Sequence, residues 1–179
     1  IFLFMRTDPT IPKYNIVAKF FHWISVLLLI IQIPLGFYLV DLDFSDFRIK
    51  VENIHVLVGI VIFYITLIRI LFRLILPRPE DPIEGFSGQM FIARVNHFLL
   101  YLSLILVTSS GILKKLFNGE SLNFLFFKLK MKTDFDKADL MYEMHVYFNY
   151  VLIGLVSLHI LAVLFHVFVL KDNVIKRIL

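Results

Sequence analysis

Four long apolar stretches dominate this sequence of 179 residues and constrain its fold more than any other feature. A helix needs ~20 consecutive apolar residues to cross the ~30 Å hydrocarbon core of a bilayer. Unpaired backbone N–H and C=O groups are too costly in lipid, so continuous stretches of this length predict helices. We therefore predict an all-α fold, a transmembrane four-helix bundle that forms a single membrane domain over residues 1–179. The predicted helices cover about 18–40, 54–76, 95–113 and 144–170.

The composition indicates a chain surrounded by lipid bilayer rather than by water. It is 59% hydrophobic and 18% charged, whereas soluble domains are about one quarter charged. The lack of cysteine in the sequence excludes disulfides, thiolate zinc sites, iron–sulfur clusters and covalently attached c-type haem. The net charge of +4 comes from basic residues in short loops, which form no continuous basic face for nucleic acid.

The loops give the expected orientation. Four spans place both termini on one side, and the termini and short loop on that side carry more Lys and Arg than the loop at 41–53. The six lysines of the loop at 114–143 run against this pattern, but the short loops favour cytoplasmic termini. We expect no signal peptide, because the first apolar stretch is too long and no small-residue cleavage site follows it; Met5 is a candidate start. The proline-rich loop at 77–82 is expected to end the second helix. The loop at 114–143 could carry a short interfacial helix.

Histidines recur within the apolar stretches or at their edges. Ionisable residues inside a membrane are costly and are usually functional. His145 and His159 are 14 residues apart, which is close to four helical turns and ~21 Å along one face. By depth, His55 pairs with His145 near the outer surface, and His22 pairs with His159 near the inner surface. The remaining two, toward the inner surface, are His97 and His166.

Two b-type haems explain these two pairs better than other cofactors do. Each haem needs two imidazoles from different helices on opposite faces of the porphyrin. Zinc or copper would need three or four ligands at one depth. A proton relay would favour carboxylates, and the interiors of the four apolar stretches contain neither Asp nor Glu. We therefore expect both haems in the core of the bundle.

Several neighbours of the histidines have both a functional and a structural interpretation. Gly59 lies one turn beyond the histidine of helix two, where it leaves room either for a flat macrocycle or for a plain helix contact. Arg69 and Arg73 are expected either to bind haem propionates or to act as snorkelling anchors. His166 is a candidate contact for quinone or propionate, or an interfacial residue facing headgroups. His97 is expected to be structural.

A set of short motifs occurs in order over roughly residues 14–179. The motifs are Phe21-His22-Trp23, Ile54-His55-Val56 with Gly59, the segment from Arg69 to Arg73, the Pro-x-Pro at 77–79, Asn96-His97, His145, Leu158-His159, His166 and Lys171-Asp172-Asn173. Each motif alone is weak, but the ordered set is specific. In this order they resemble the bacterial cytochrome b561 family, the small four-helix di-haem proteins of the inner membrane.

The resemblance implies a cofactor, partners and an activity. It implies ubiquinone as the electron partner and oxidation of superoxide at the outer surface of a bacterial inner membrane. The chain departs from close members of the family in its N-terminal extension and in the loop at 114–143, where a donor would bind. The implied axial ligands of the haem irons are His22, His55, His145 and His159.

Two functional hypotheses follow from these residues and this resemblance. In the first, a superoxide:ubiquinone oxidoreductase transfers electrons through both haems, by outer-sphere transfer because bis-histidine iron has no open position. In the second, the chain is a quinone-linked cytochrome b subunit, a conduit or anchor for a separate dehydrogenase or hydrogenase. A haem-free scaffold would leave the histidines in lipid unexplained. The lysines that would attract superoxide are Lys114, Lys115, Lys128, Lys130, Lys132 and Lys137.

Overall fold

A computed structural model describes residues 13–76, 87–124, 127–172 and 174–179. Within these residues, four helices are long and apolar enough to cross a membrane, which confirms the predicted four-helix transmembrane fold. Three features discussed above lie outside the described residues: Met5, the proline-rich loop at 77–82 and Asn173. The four helices are α1 (Ile16–Asp41), α2 (Asp46–Ile75), α3 (Gln89–Phe117) and α4 (Phe135–Phe165).

The helices extend beyond the apolar stretches because polar caps, rather than hydropathy, set where they begin. Ser45 caps α2 by accepting a hydrogen bond from the Arg48 backbone N–H at 3.2 Å. Asp134 caps α4 by accepting one from the Lys137 backbone N–H at 3.1 Å. These oxygens satisfy N–H groups that a helix start leaves unpaired. The Lys137 side chain also bonds to Asp134 and lowers the pKa of that carboxyl below its ordinary value.

The loop between α3 and α4 carries a β-hairpin in place of the interfacial helix expected from its sequence. Strands β1 (Ser121–Asn123) and β2 (Lys128–Lys130) pair antiparallel, with Leu122 opposite Leu129. Apolar and polar residues alternate along both strands, and this period of two is typical of a strand rather than a helix. The interfacial helix suggested for this loop is therefore wrong at residues 121–130, because the alternation favours strands there.

A small buried layer of apolar side chains lies at mid-height in the bundle. Leu152 lies seven residues from each of the α4 histidines predicted to bind haem. Many large apolar side chains are instead exposed, as lipid-facing residues are. The layer therefore separates two levels of the bundle, and it consists of Ile62, Leu104, Val107 and Leu152.

The two described ends of the chain meet at one end of the bundle. A π-helical turn at His166–Leu170 follows α4, and a short 3₁₀-helix at Val174–Arg177 comes after it. The Trp23 indole donates to the Ile178 carbonyl at 3.0 Å, and the Tyr14 backbone N–H donates to the Arg177 carbonyl at 3.0 Å. This arrangement agrees with an even number of spans.

Candidate cofactor-binding sites

The site predicted to lie nearer the outer surface, called the outer site below, is built around two imidazoles from different helices. His55 on α2 and His145 on α4 have ring centres 6.1 Å apart and planes at 81°. Nδ1 of His145 lies 2.7 Å from the Val107 carbonyl oxygen, which can only accept, so this nitrogen carries the proton. The lone pair of His145 is therefore on Nε2, as in a metal-ligating histidine whose other nitrogen donates to a backbone carbonyl.

Two glycines that the sequence interpretation missed leave space for these rings. A Cβ on Gly111 of α3 would lie 2.9 Å from two atoms of the His145 ring. A Cβ on Gly36 of α1 would lie 3.1 Å from Cε1 of His55. A larger residue at Gly111 would have to displace the His145 ring, and one at Gly36 would require the His55 ring to shift by a few tenths of an ångström. Their occurrence inside apolar stretches, at the depth of the outer histidines, is the sequence feature that could have identified them.

Gly59 of α2 faces Gln32 of α1, which is the plain helix contact named above as one of its two interpretations. A Cβ at this position would lie 3.4 Å from Nε2 of Gln32, which is ordinary contact. That amide nitrogen donates to the backbone carbonyl of His55 at 2.9 Å. Gly59 therefore lies against Gln32, which in turn contacts the backbone of the outer histidine. Both Gly59 and Gln32 also line the cavity beside the outer pair.

A cavity of about 390 Å³ adjoins the outer pair and is lined by all four helices. Three basic residues, Arg48, Lys114 and Lys115, contribute to its lining. The Glu52 carboxylate lies between the two lysines and accepts from Lys114 at 3.3 Å and from Lys115 at 3.2 Å. The two lysines nearest to this cavity therefore have an anionic partner within the protein, which reduces the field they project outward.

The inner site contains three imidazoles where the sequence predicted two. His97 on α3 and His159 on α4 have ring centres 5.2 Å apart, with planes at 79°. His22 on α1 lies within electrostatic range of both. Nδ1 of His97 lies 2.7 Å from the Ala93 carbonyl oxygen and therefore carries a proton. His97, expected to be structural, is thus the inner ring that packs directly on His159.

Arg69 and Arg73 approach the inner site from α2. Nη2 of Arg69 lies 3.3 Å from Nδ1 of His22, which must accept because a guanidinium only donates. The Arg69 guanidinium also lies over the Tyr101 ring, 5.3 Å from its centre. Arg73 is within electrostatic range of His97. Arg69 therefore contacts the histidine cluster directly, and Arg73 interacts with it electrostatically.

His166 belongs to a separate polar group at the end of α4. Its Nδ1 lies 2.5 Å from Oδ2 of Asp172, and its Nε2 lies 2.9 Å from Nε2 of Gln89 on α3. The amide of Gln89 donates, so Nε2 of His166 accepts and Nδ1 donates to the carboxylate. This group ties the start of α3 to the turn after α4.

The donor chemistry of these sites fits haem better than a small ion. Among the described residues, no three or more His, Cys, Asp or Glu side chains are grouped as a metal site would require. The imidazoles instead meet at two levels and come from different helices, as bis-histidine haem requires. Within the same described part of the chain, Nδ1 of His55 and Oε1 of Gln32 are buried without a hydrogen-bond partner. The protein alone therefore leaves polar atoms at the outer site unsatisfied.

Comparison with known proteins agrees with this chemistry. The sequence model of a family described as prokaryotic cytochrome b561 matches residues 13–179. The chain is 29% identical to a protein named cytochrome b561 homolog 2 from Escherichia coli (strain K12), over 98% of this chain and 95% of that protein. It is 30% identical to a protein named probable superoxide oxidase CybB from Yersinia pestis, over 93% of this chain and 96% of that protein.

Proposed function

Because this chain belongs to the prokaryotic cytochrome b561 family, we propose that it holds two b-type haems and passes single electrons between an outer-face donor and ubiquinone. Family membership makes it a multi-pass inner-membrane protein of electron transfer that binds haem b. The number of haems, their ligands, superoxide as the donor and ubiquinone as the acceptor are our proposal.

The outer haem is proposed to bind between His55 and His145. The two rings come from different helices, and their centres lie 6.1 Å apart. The Val107 carbonyl holds His145 in the tautomer that ligates through Nε2. Gly36 and Gly111 keep the space that the rings occupy.

The inner haem is proposed to bind between His22 and His159. Ligation through Nε2 would leave the proton of His22 on Nδ1, where Arg69 now donates. Arg69 would therefore have to leave that nitrogen, and its guanidinium would become available for a propionate carboxylate. Arg73 is the second candidate for this role, and both arginines would offset the propionate charges inside the membrane.

Haem iron with imidazole on both faces takes up and releases one electron without an open coordination position. The protein would hold the two imidazoles of each site, keep any other ligand from the iron, and separate the two sites by the layer around Leu152. In the proposed reaction each superoxide gives up one electron and leaves as O₂. Ubiquinone takes up two electrons and two protons to become ubiquinol, so two superoxide ions are consumed for each quinone.

The observation that carries this proposal is the sorting of buried imidazoles into two clusters, one on either side of the apolar layer. Two clusters on facing helices suit transfer across the membrane, whereas a single cluster would suit a local reaction. The name of the Yersinia pestis relative, probable superoxide oxidase, supports superoxide as the donor. Both termini are proposed to be cytoplasmic, which places the His55–His145 site at the outer face.

A second candidate function is a cytochrome b subunit for a separate dehydrogenase or hydrogenase. The pairing of Lys114 and Lys115 with Glu52 favours it, because these lysines then contribute less to attracting an anion. The hairpin also presents an exposed aromatic side chain, Phe127, that a partner subunit could cover. In this case electrons would reach the outer haem from a protein surface rather than from a diffusing radical.

An assay in proteoliposomes separates the two functions. Purified protein, loaded with haem and reconstituted with ubiquinone, is exposed to a superoxide source, and haem reduction and ubiquinol formation are followed. Our proposal predicts both, with two superoxide ions consumed for each ubiquinol. Haem that stays oxidised under superoxide but is reduced by dithionite would favour the partner-subunit function.

A further inference from the structure

The His97 ring packs against His159, which the proposed function makes a ligand of the inner haem. The ring centres are 5.2 Å apart and the planes are nearly perpendicular, at 79°. An N–H···N bond of about 2.9 Å between two imidazoles leaves their centres about 5 Å apart. The distance between the ring centres is therefore compatible with such a bond.

The protonation of His97 fixes the direction of such a bond. Its Nδ1–H donates to the Ala93 carbonyl one turn earlier in α3, at 2.7 Å. A neutral His97 then has its lone pair on Nε2, which is an acceptor. A histidine that binds iron through Nε2 keeps its proton on Nδ1 and needs an acceptor for it. His97 offers the acceptor that a ligating His159 would require.

We propose that Nε2 of His97 accepts the Nδ1–H of His159 and acts as a positioning residue for the inner haem ligand. This inference rests on the proposed function, because it takes His159 to be a ligand. At the outer site the Val107 carbonyl performs the same task for His145. The bond makes the ligand more basic and favours oxidised iron, so it lowers the midpoint potential of the inner haem.

His22 does not offer the same arrangement. Its Nδ1 accepts from Arg69, so in this tautomer the proton lies on Nε2. His97 instead has the tautomer and the direct ring contact that an acceptor for His159 needs. The difference between the two residues can be tested because their replacements should have different effects: loss of a ligand for His22 and a changed potential for His97.

The test compares His97→Leu with His97→Gln in the haem-loaded full-length protein. Leucine removes the acceptor, while the glutamine carbonyl keeps an acceptor at similar reach. Haem content, the midpoint potential of each haem and the low-spin electron paramagnetic resonance signals are measured. Phe98→Leu is the matched control, because Phe98 follows His97 in α3 and is 64% exposed toward lipid.

We expect His97→Leu to keep both haems, raise the midpoint potential of the inner haem, and change the g value of its low-spin signal as the His159 ring turns. The outer haem should be unchanged. Glutamine should restore most of the wild-type potential, and Phe98→Leu should shift neither haem. If His97→Leu does not fold, His97→Asn serves instead, because its amide carbonyl is one methylene too short to reach His159, and the same upward shift is expected.

Two results would overturn this role. An inner haem with unchanged potential and signal in His97→Leu or His97→Asn would show that the ring contact has no effect on the ligand. Loss of the inner haem from the His97 variants, with its retention in His22→Leu, would make His97 itself the ligand. Failure of the proposed function would appear earlier, as a wild-type protein that lacks a second haem.

Discussion

The imidazole rings of His55 and His145 lie 6.1 Å apart, centre to centre, with their planes at 81°. Each ring lies against a glycine from a neighbouring helix: His55 lies against Gly36, and His145 lies against Gly111. The Val107 carbonyl further fixes His145 through its Nδ1 proton. A group that binds between the rings would therefore meet ligands that are already oriented, which is the condition for a well-defined site.

Replacing Gly111 with alanine should disrupt the outer site. The new Cβ would lie 2.9 Å from Nδ1 and Cε1 of His145, so the ring has to leave the position in which Nδ1 donates to the Val107 carbonyl. We expect the purified variant to lose the outer haem, about half of the wild-type haem content, while the inner haem keeps its spectrum. Haem per chain is measured by the pyridine haemochrome method.

Gly154→Ala is the matched control for that change. Gly154 lies in α4, and a Cβ there would meet nothing within 4 Å. We expect wild-type haem content, or slightly higher stability because alanine is the better helix former. Equal haem loss in the Gly111 and Gly154 variants would mean that the effect comes from helix insertion and not from the His145 ring.

The two depth-sorted pairs should be separable by mutation. His159→Leu is expected to remove the inner haem and leave the outer haem, and His55→Leu is expected to do the reverse, because the apolar layer around Leu152 separates the clusters. Redox titration with optical detection assigns the remaining haem in each variant. Removal of the same haem by both changes would refute the pairing.

The hairpin lysines should act on the encounter with superoxide. Lys128 and Lys130 lie exposed on β2, whereas Lys114 and Lys115 are paired with Glu52. Changing Lys128 and Lys130 together to glutamine should slow haem reduction by superoxide about two- to fivefold and flatten its salt dependence. The measurement is the stopped-flow rate as a function of ionic strength, with both haems still bound.

Lys176→Gln provides the control for steering, because Lys176 is exposed near the opposite end of the bundle. It should alter neither the rate nor the salt slope. A double Lys128/Lys130 variant that matches wild type in both respects would argue against steering by the hairpin and would strengthen the partner-subunit function.

Orientation can be read from single cysteines, because the chain has no cysteine of its own. Asp43→Cys lies in the exposed loop between α1 and α2, and Lys13→Cys lies before α1. With both termini cytoplasmic, a membrane-impermeant maleimide should label position 43 in intact spheroplasts and position 13 only after lysis. The opposite labelling pattern would invert the assignment of inner and outer sites.

The helices and the depth of the histidines could be predicted because both depend on local sequence. The length of an apolar stretch predicts a membrane-spanning helix. The 14-residue spacing of His145 and His159 gives their separation along one helix. The true helix starts were missed at residues such as Ser45 and Asp134, since polar caps extend a helix beyond its apolar stretch.

Contacts between helices could not be predicted, because a single sequence does not give the rotation of one helix against another. The approach of Gly111 to His145 and of His97 to His159 depends on that rotation. The contact between Gln32 and Gly59 also depends on the rotation of one helix against another. Haem number and ligand identity remain predictions, since family membership supports haem b binding alone.

The central claim is that buried imidazoles at two depths hold two haems, and its most direct test is the haem count and spin state of the purified wild-type protein. Haem per chain is determined chemically, and the oxidised protein is examined by electron paramagnetic resonance before and after reduction with dithionite. We predict two haems per chain, both low-spin and six-coordinate, because each iron would have two imidazole ligands. A single haem per chain, or a high-spin signal from either iron, would contradict the account.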